Sequence, residues 1–505
     1  GSALAAPTGP DGARTARPHS ADPDAPIEQL RGVWISSVVN IDWPSATGLP
    51  VEIQQQQLID WFDLARRLNL NTVMLQVRPT ADAFWPSRFE PWSQYLTGTQ
   101  GQDPGYDALE FAVTEAHKRN LELHAWFNPY RVSMQTDPSK LVDWHPARKH
   151  PDWVFAYGPK LYYNPGIPEV RRFVQDAILD ATRYDIDGVH FDDYFYPYPL
   201  AGQTLPDADT YAKYGAGFDT IEDWRRNNID LLISEISHRI HARKPWLKFG
   251  VSPFGIWRNA SSDPAGSDTG GTESYNANFA DTRKWVKRGW LDYINPQIYW
   301  NIGLAVADYA KLTPWWAEQV RGTHVQLYIG EATYKVGDPA QPAEWQDPAE
   351  LSRHLTLDQQ YPEVGGNVYF SAVQMRTDKL GATSQLVADH YQHRAITPAM
   401  PHLDSRAPLR PVVTRVRRGD DGVTLSWNAT GARRPTSYAI YRFDHVPGRD
   451  DYVDATNLLD TVRATGRHES YTDTSAAPGT AYTYAVVAVS RSAVRSLPSM
   501  PRGVH

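Results

Sequence analysis

The chain of 505 residues is longer than one hydrophobic core usually supports, so a large domain plus a smaller one is expected. Its formal charge of -8 argues against chain-wide attraction to nucleic acid or anionic membrane, and no run approaches the roughly 20 apolar residues of a spanning helix. The absence of cysteine excludes disulfides, a thiolate nucleophile and thiolate-held metal, whereas 18 Trp and 27 Tyr supply flat faces that cores and sugar clefts both use.

Residues 1–28 are rich in Ala, Pro, Thr and Asp without periodic apolar positions. They are expected to form a disordered leader of the kind that trails an export signal, so the protein is expected to be secreted or cell-envelope associated. From Arg31, β-rich runs alternate with amphipathic helical stretches. The runs are RGVWISSV from Arg31, NTVMLQVR from Asn71, LELHAWFN from Leu121, IDGVHFDD from Ile186, KFGVSPF from Lys248, DYINPQIYW from Asp292, HVQLYIGE from His324 and GNVYFSA from Gly366. Eight strand–helix repeats predict an α/β fold, a closed (β/α)8 TIM barrel over 29–398. Leu58, Phe62 and Ala65 share one face of the first helix. Ile229, Leu232, Ile233, Ile236 and Ile240 form the stripe of another, with Asp219 and Glu222 as its capping box.

The strand-to-helix connections near 39–51, 79–105, 129–166, 194–218 and 255–275 are long, which places the functional cleft on the rim at the carboxyl ends of the strands. The Pro-containing segment 399–411 reads as a linker. Over 412–505 short strands with Gly/Pro turns, VTLSWNA, TSYAIYRF and PGTAYTYAVVAVS, predict an all-β fibronectin type III-like sandwich with Tyr482 as the tyrosine-corner residue.

The chemistry concentrates where the fourth run ends, in Asp187-Gly-Val-His-Phe-Asp-Asp-Tyr. Two-residue alternation sets Val189 and Phe191 on one face and His190 and Asp192 on the other, barrel-facing if the apolar pair packs on helices. Adjacent carboxylates raise one another's pKa, which suits a general acid held protonated near neutral pH. Glu331, after Gly330 at the end of the seventh run, is the second acid, because glycosidases flank the scissile bond with two carboxyl groups. The candidate catalytic residues are therefore Asp192, Asp193 and Glu331. Other strand ends supply Arg78, His124, Asn128, Tyr130, Arg131, His190, Asn295, Gln297 and Tyr299 as candidate substrate contacts. Trp126, Tyr194, Trp257 and Trp300, with Trp43, Trp85 and Tyr196, are candidate stacking faces.

Plainer roles compete with each of these. The Asp pair could be ion-paired with Arg78 or Arg131, Glu331 could be structural, and any single aromatic could belong to the core. His124 and His190 raise the question of zinc, but RGVWISSV carries no His-x-His pair and satisfied hydrogen-bonding histidines are expected instead. Asp263 and Asp268 match no calcium loop spacing, so no metal and no cofactor is expected.

The segments RGVWISSVVNIDWPS, LQVRPTADAFWPS, HAWFNPYRV, DGVHFDDYFYP and NPQIYW together resemble the family 10-like glycosyl hydrolases, from about Arg31 to Ala395. That resemblance implies a bacterial barrel glycosidase, endo-acting on cell-wall peptidoglycan strands whose stem peptides have been removed. Such strands bear lactyl carboxylates that Arg78, Arg131, Arg258 or Lys335 could receive. The fourth run is also similar to the family 18 chitinase strand, but Tyr194 stands where that family has its catalytic Glu. Asp192 is left open as nucleophile, acid or assistant to an N-acetyl group. A polysaccharide is the expected partner, no nucleic acid is expected, and the protein is expected to be a monomer. A non-catalytic glycan-binding wall protein and a metal-dependent polysaccharide deacetylase are the alternatives.

Overall fold

The computed structural model describes residues 24–505. Eight parallel strands close into a barrel: β1 (Leu30–Ile35), β2 (Thr72–Arg78), β3 (Glu122–Phe127), β4 (Gly188–Phe191), β5 (Lys248–Val251), β6 (Tyr293–Ile294), β7 (Gln326–Glu331) and β8 (Val364–Tyr369). They pair in the order β1-β8-β7-β6-β5-β4-β3-β2, so every expected run is a barrel strand. The principal outer helices are α1 (Val51–Arg67), α2 (Ala108–Lys118), α3 (Pro168–Asp180), α4 (Ile221–Arg243), α5 (Thr282–Lys287), α6 (Tyr309–Val320), α7 (Glu350–Asp358) and α8 (Ala382–His390).

The alternation along each strand divides the core in two. Val73, Leu75, Leu123, Ala125, Val189, Phe191, Leu327 and Ile329 face the helices, where Leu58, Phe62 and the Ile229–Ile240 stripe bury against them. The opposite faces fill the lumen with Leu30, Trp34, Met74, Trp126, Tyr293, Tyr328 and Val368. Such bulk fits because glycine alternates with it. A Cβ on Gly250 would stand 2.1 Å from the Tyr293 ring, and one on Gly188 would stand 2.6 Å from His124 Nδ1. The cap of α4 differs from the expected Asp219/Glu222 box: the Thr220 hydroxyl accepts from the Asp223 amide at 3.1 Å, one residue further along.

The loops at the carboxyl ends are the long ones. The connection after β3 carries its own antiparallel sheet of Arg131–Ser133, Lys160–Tyr163 and Val154–Tyr157. The opposite end, the floor, is closed by the C-terminal unit. That unit has one sheet of Val412–Gly419, Gly422–Asn428 and His468–Asp473, and a second of Leu458–Arg463, Ser437–Phe443, Tyr482–Val489 and Arg502–Val504. Trp427 packs edge-on to Tyr438 between them, 5.3 Å apart. The Tyr482 hydroxyl accepts from the Ala477 amide at 3.1 Å, while the buried Tyr484 donates to Asp473 at 2.6 Å.

Two expected boundaries change. Residues 1–23 of the expected leader lie outside the described residues, but the rest of it is not free of the fold. Ala25 and Ile27 are buried with Ile396 and with Tyr441 of the C-terminal unit, where Glu28 also pairs with Arg495 at 3.2 Å. The expected linker 399–411 is likewise docked at its start: Met400 is buried with the lumen side chains and plugs the barrel from below. Isolated apolar residues carry no periodicity, so their burial leaves no pattern in the sequence. Arg491 fastens the unit to the floor through Asp185 and Asp187 at 2.8 and 2.9 Å, and Arg66 pairs with Asp460 at 2.8 Å. Among the described residues no helix is long and apolar enough to cross a membrane.

Candidate active site

The mouth of the barrel is floored by the lumen-facing residues one step beyond Trp34, Met74, Trp126, His190, Gly250 and Tyr293. These are Ser36, Gln76, Asn128, Asp192, Ser252 and Asn295, all buried. Asp192 stands among them as the alternation requires. Its Oδ2 accepts from Trp126 Nε1 at 3.0 Å and Asn128 Nδ2 at 2.6 Å, and its Oδ1 from the Tyr194 amide at 3.1 Å. Burial, reinforced by the neighbouring Asp193, raises its carboxyl to about 7. Asp193 is half-buried; Tyr198 donates to its Oδ2 at 2.5 Å and Gln297 to its Oδ1 at 3.1 Å. Burial raises Asp193 as well. Adjacent and both raised, the two carboxyls titrate as a coupled pair.

The donors on Asp192 are themselves held. Gln76 Oε1 accepts from the Ser36 hydroxyl and from the Ser37 and Val38 amides, each at 2.9 Å. Its Nε2 donates to Asn128 Oδ1 at 2.6 Å, which turns the Asn128 amide nitrogen toward Asp192. Arg131 donates Nε to Pro79 O at 3.0 Å and lies 5.2 Å over the Tyr194 ring. Its positive charge pulls both carboxyls downward, against burial. Asn295, with both amide atoms, and Ser252, with its hydroxyl, are buried and have no hydrogen-bond partner in the protein. Such groups at the base of a cleft await a ligand or water. Tyr299 and Trp300 are half-buried on the rim, set edge-on to Tyr334 and Phe254.

Several expected site residues belong elsewhere. Glu331 shares its face with Leu327 and Ile329, so it points between strand and helices and not into the cleft. It is fully buried, accepting from Tyr309 at 2.9 Å and Asn367 at 3.1 Å and bonded to His354 Nδ1 at 2.7 Å. Every oxygen is engaged, and no catalytic role is left for it at the mouth. Arg78 is clamped on Glu90 at 2.6 and 3.0 Å and on the carbonyl oxygens of Asn128 and Pro129, with no exposed surface. Tyr130 is fully buried in the helix-side core, and Trp257 donates to Asp281 at 2.8 Å and stacks on Trp315. Trp43, Trp85 and Tyr196 are core residues too. Asp263 and Asp268 are ion-paired with Arg258 and Lys311.

His124 and His190 lie inside the lumen below Asp192 and touch no cleft. Trp34 Nε1 can only donate, so His190 Nε2 accepts at 3.1 Å and its Nδ1–H donates to Tyr293 at 2.9 Å. The Tyr293 hydroxyl then donates to His124 Nδ1 at 2.9 Å, and His124 Nε2–H to Glu122 at 2.9 Å. Lys248 completes the chain on Glu122 at 2.8 Å. Burial drives His190 well below the usual imidazole range, in keeping with its neutral form.

The glycosyl hydrolase-like 10 family matches residues 29–347. Glycosyl hydrolase YngK of Bacillus subtilis is 48% identical over 471 residues, covering 92% of this chain and 91% of that protein. Glycosyl hydrolase DigH of Escherichia coli K12 is 43% identical over 378 residues, 70% of this chain and 86% of that one. The chain belongs to the glycosyl hydrolase-like 10 family. It is a glycosidase, and the barrel is its catalytic architecture. Among solved structures, the glycoside hydrolase domain of PgaB (BpsB) from Bordetella bronchiseptica superposes with a TM-score of 0.46 at 15% identity, over 72% of this chain and 99% of that one.

In this member of the glycosyl hydrolase-like 10 family, residue-type reasoning passed over Gln76, Ser252, Asn278 and Tyr198. Asn278 Nδ2 donates to the Asp193 carbonyl at 2.7 Å. Strand alternation alone would have placed Gln76 and Ser252 in the polar layer with Asp192. Tyr198 and Asn278 sit on loops, where no period points to them.

Proposed function

We propose that this glycosidase cleaves within bacterial peptidoglycan strands from which the stem peptides have been removed. The observation that carries the reading is the Asp192–Asp193 pair with Arg131 beside it. One carboxyl of the pair keeps its proton and delivers it to the glycosidic oxygen. The other, ionised, meets the positive charge that grows at the anomeric carbon, either bonding to it or aligning a 2-acetamido oxygen against it. Asp192, whose carboxyl burial and the neighbouring Asp193 raise to about 7, suits the first task. Asp193, half-buried and accepting from Tyr198 and Gln297, which favour its ionised form, suits the second.

Removal of a stem peptide leaves a lactyl carboxylate on each muramic acid. The Arg131 guanidinium uses only Nε within the protein, so both terminal nitrogens are available to such an anion. Long loops around an open rim favour an internal stretch of polymer over a chain end. On this reading the protein acts as a monomer, and the substrate calls for export to the cell envelope.

The test is digestion of amidase-stripped peptidoglycan by wild type, Asp192→Asn and Asp193→Asn, with mass spectrometry of the soluble products. Wild type is expected to release peptide-free oligosaccharides of several lengths, and both variants to fall by at least about 10²-fold while remaining folded. Equal release from intact peptidoglycan, or none from the stripped strands, overturns the reading.

A further inference from the structure

The floor of the barrel, opposite Asp192, holds a second cluster of chemically capable side chains. Asp292 immediately precedes β6, His324 lies just before β7, and His402 lies on the segment that leads from the barrel to the C-terminal unit. One ligating atom from each lies within 4.8 Å of the others. We propose that Asp292, His324 and His402 form a binding site for a zinc-class divalent cation that clips the connecting segment to the barrel floor.

The donor set is the first argument. One carboxylate and two imidazoles are what borderline ions such as zinc, cobalt(II) and nickel take from proteins, whereas calcium and magnesium want oxygen alone. The second argument is that the outer hydrogen bonds of such a site are already built. Asp292 Oδ2 is occupied by His241 Nε2 at 2.8 Å and by the Phe249 amide at 2.8 Å, which fixes the carboxylate and turns Oδ1 toward the two histidines. His324 Nε2 faces the Leu291 carbonyl at 3.1 Å; a carbonyl only accepts, so Nε2 carries the proton and Nδ1 carries the lone pair. Gly289 makes room for that ring, since a Cβ there would stand 2.9 Å from His324 Cε1.

The third argument is the proton between His402 Nε2 and Asp292 Oδ1, which are 2.8 Å apart. A cation replaces it: the proton on Nε2 passes through solvent to Nδ1 of the same ring, and Nε2 and Oδ1 turn their lone pairs to the ion. A tetrahedral ion with bonds of about 2.0–2.1 Å sets its ligands roughly 3.3 Å apart, so rotations of the order of an ångström close the site. The His324 and His402 rings are stacked 4.2 Å apart at 13°, which holds the two imidazoles side by side next to Asp292. Both rings are partly exposed, leaving a position for water. The ligands are spread over residues 292, 324 and 402 with no short spacing, which is why no motif marks them in the sequence.

The probe is zinc chloride added to chelator-treated full-length protein, followed by calorimetry in two buffers of different ionisation enthalpy, with cobalt(II) absorption as an independent readout. Expected are one equivalent bound at micromolar concentration in both buffers and an intense visible cobalt band typical of four-coordinate geometry. His324→Ala and His402→Ala each weaken binding at least tenfold, while glycan turnover is unchanged because the site lies on the far face from Asp192. Asp292→Asn serves as a further variant if either alanine form fails to fold. Less than half an equivalent taken up by wild type at 100-fold molar excess, or uptake undiminished in the variants, overturns the proposal. Neither outcome bears on the glycan reading.

Discussion

Glu331→Gln separates a buried structural carboxylate from a catalytic one. In the folded protein His354 is raised from 6.5 to about 9 against its own burial, with Glu331 the first of its charged partners and Glu350 the second. That shift corresponds to about 3 kcal/mol of preference for the protonated ring, with Glu331 the larger of its two charged contributors. The contribution is complete below 6.5, where both folded and unfolded rings are charged, and is lost as pH rises through 9. Asp358 works the other way: burial and then Glu331 raise it to about 7, a penalty that accumulates as pH rises toward that value. Neutralising Glu331 therefore costs a net of about 1–2 kcal/mol at pH 6, shrinking and then reversing above pH 9. For a chain of this length that is a melting shift of only about 1–2 °C, resolved by scanning calorimetry at pH 6 and pH 9.5. Turnover of stripped glycan by the variant should stay within about threefold of wild type, since its amide oxygen still accepts from Tyr309 and Asn367. A variant with unchanged melting at pH 6 and turnover reduced by about 10² or more would return Glu331 to the catalytic centre.

The raised carboxyls of Asp192 and Asp193 predict a bell-shaped pH–rate profile for kcat/KM, with an alkaline limb near 7, where Asp192 loses its proton, and an acid limb above the ordinary aspartate range. Tyr198→Phe removes the 2.5 Å donor that favours ionised Asp193, so the acid limb should move up by about 1–2 pH units with kcat at the optimum little changed. An unmoved limb would mean that Asp193 does not titrate in the reaction. Asn128→Ala frees Asp192 Oδ2 and breaks the link to Gln76; a fall in kcat of about 10–100-fold with KM nearly constant is expected from steady-state kinetics. Arg131→Ala should raise KM at least about tenfold for strands with free lactyl carboxylates and barely alter it for chitin oligomers, and equal effects on both would remove the anion from its role.

What the sequence shows and hides follows from periodicity. Eight runs with a period of two, separated by helical stripes such as Ile229–Ile240, report the barrel because burial on two faces must repeat. The same alternation places Asp192 beside Trp126 and Asn128 and gives the centre of the site. It also contained the correction to Glu331, because Leu327 and Ile329 are helix-side and Glu331 is two residues further on the same face. Residue type at a strand end outweighed the face it occupied. Arg78, Tyr130 and Trp257 fail for a different reason: whether a polar or aromatic side chain meets the cleft or a buried partner depends on residues far away in the chain, Glu90 and Asp281 among them. Tyr198, Asn278 and the docked residues Ala25, Ile27 and Met400 lie in irregular segments, where no period exists to read.

The two ends of the barrel divide the work along the strands themselves. At the carboxyl ends the lumen layer ends in Asn295 and Ser252 with unused hydrogen bonds and in Asp192 held charged only with difficulty. At the amino ends the opposite holds: Asp187 is pulled well below the carboxylate range by Arg491, His117 and Arg463, against its own burial, and Asp292 is held low by His241 and His402. Carboxylates that stabilise the fold by staying ionised sit on the floor, under the C-terminal unit. At the mouth sit Asp192 and Asp193, whose carboxyls burial raises. Between them the His190–Tyr293–His124–Glu122–Lys248 chain links the lumen side chains by hydrogen bonds, from His190 beneath Asp192 to Lys248 at the start of β5 near the floor.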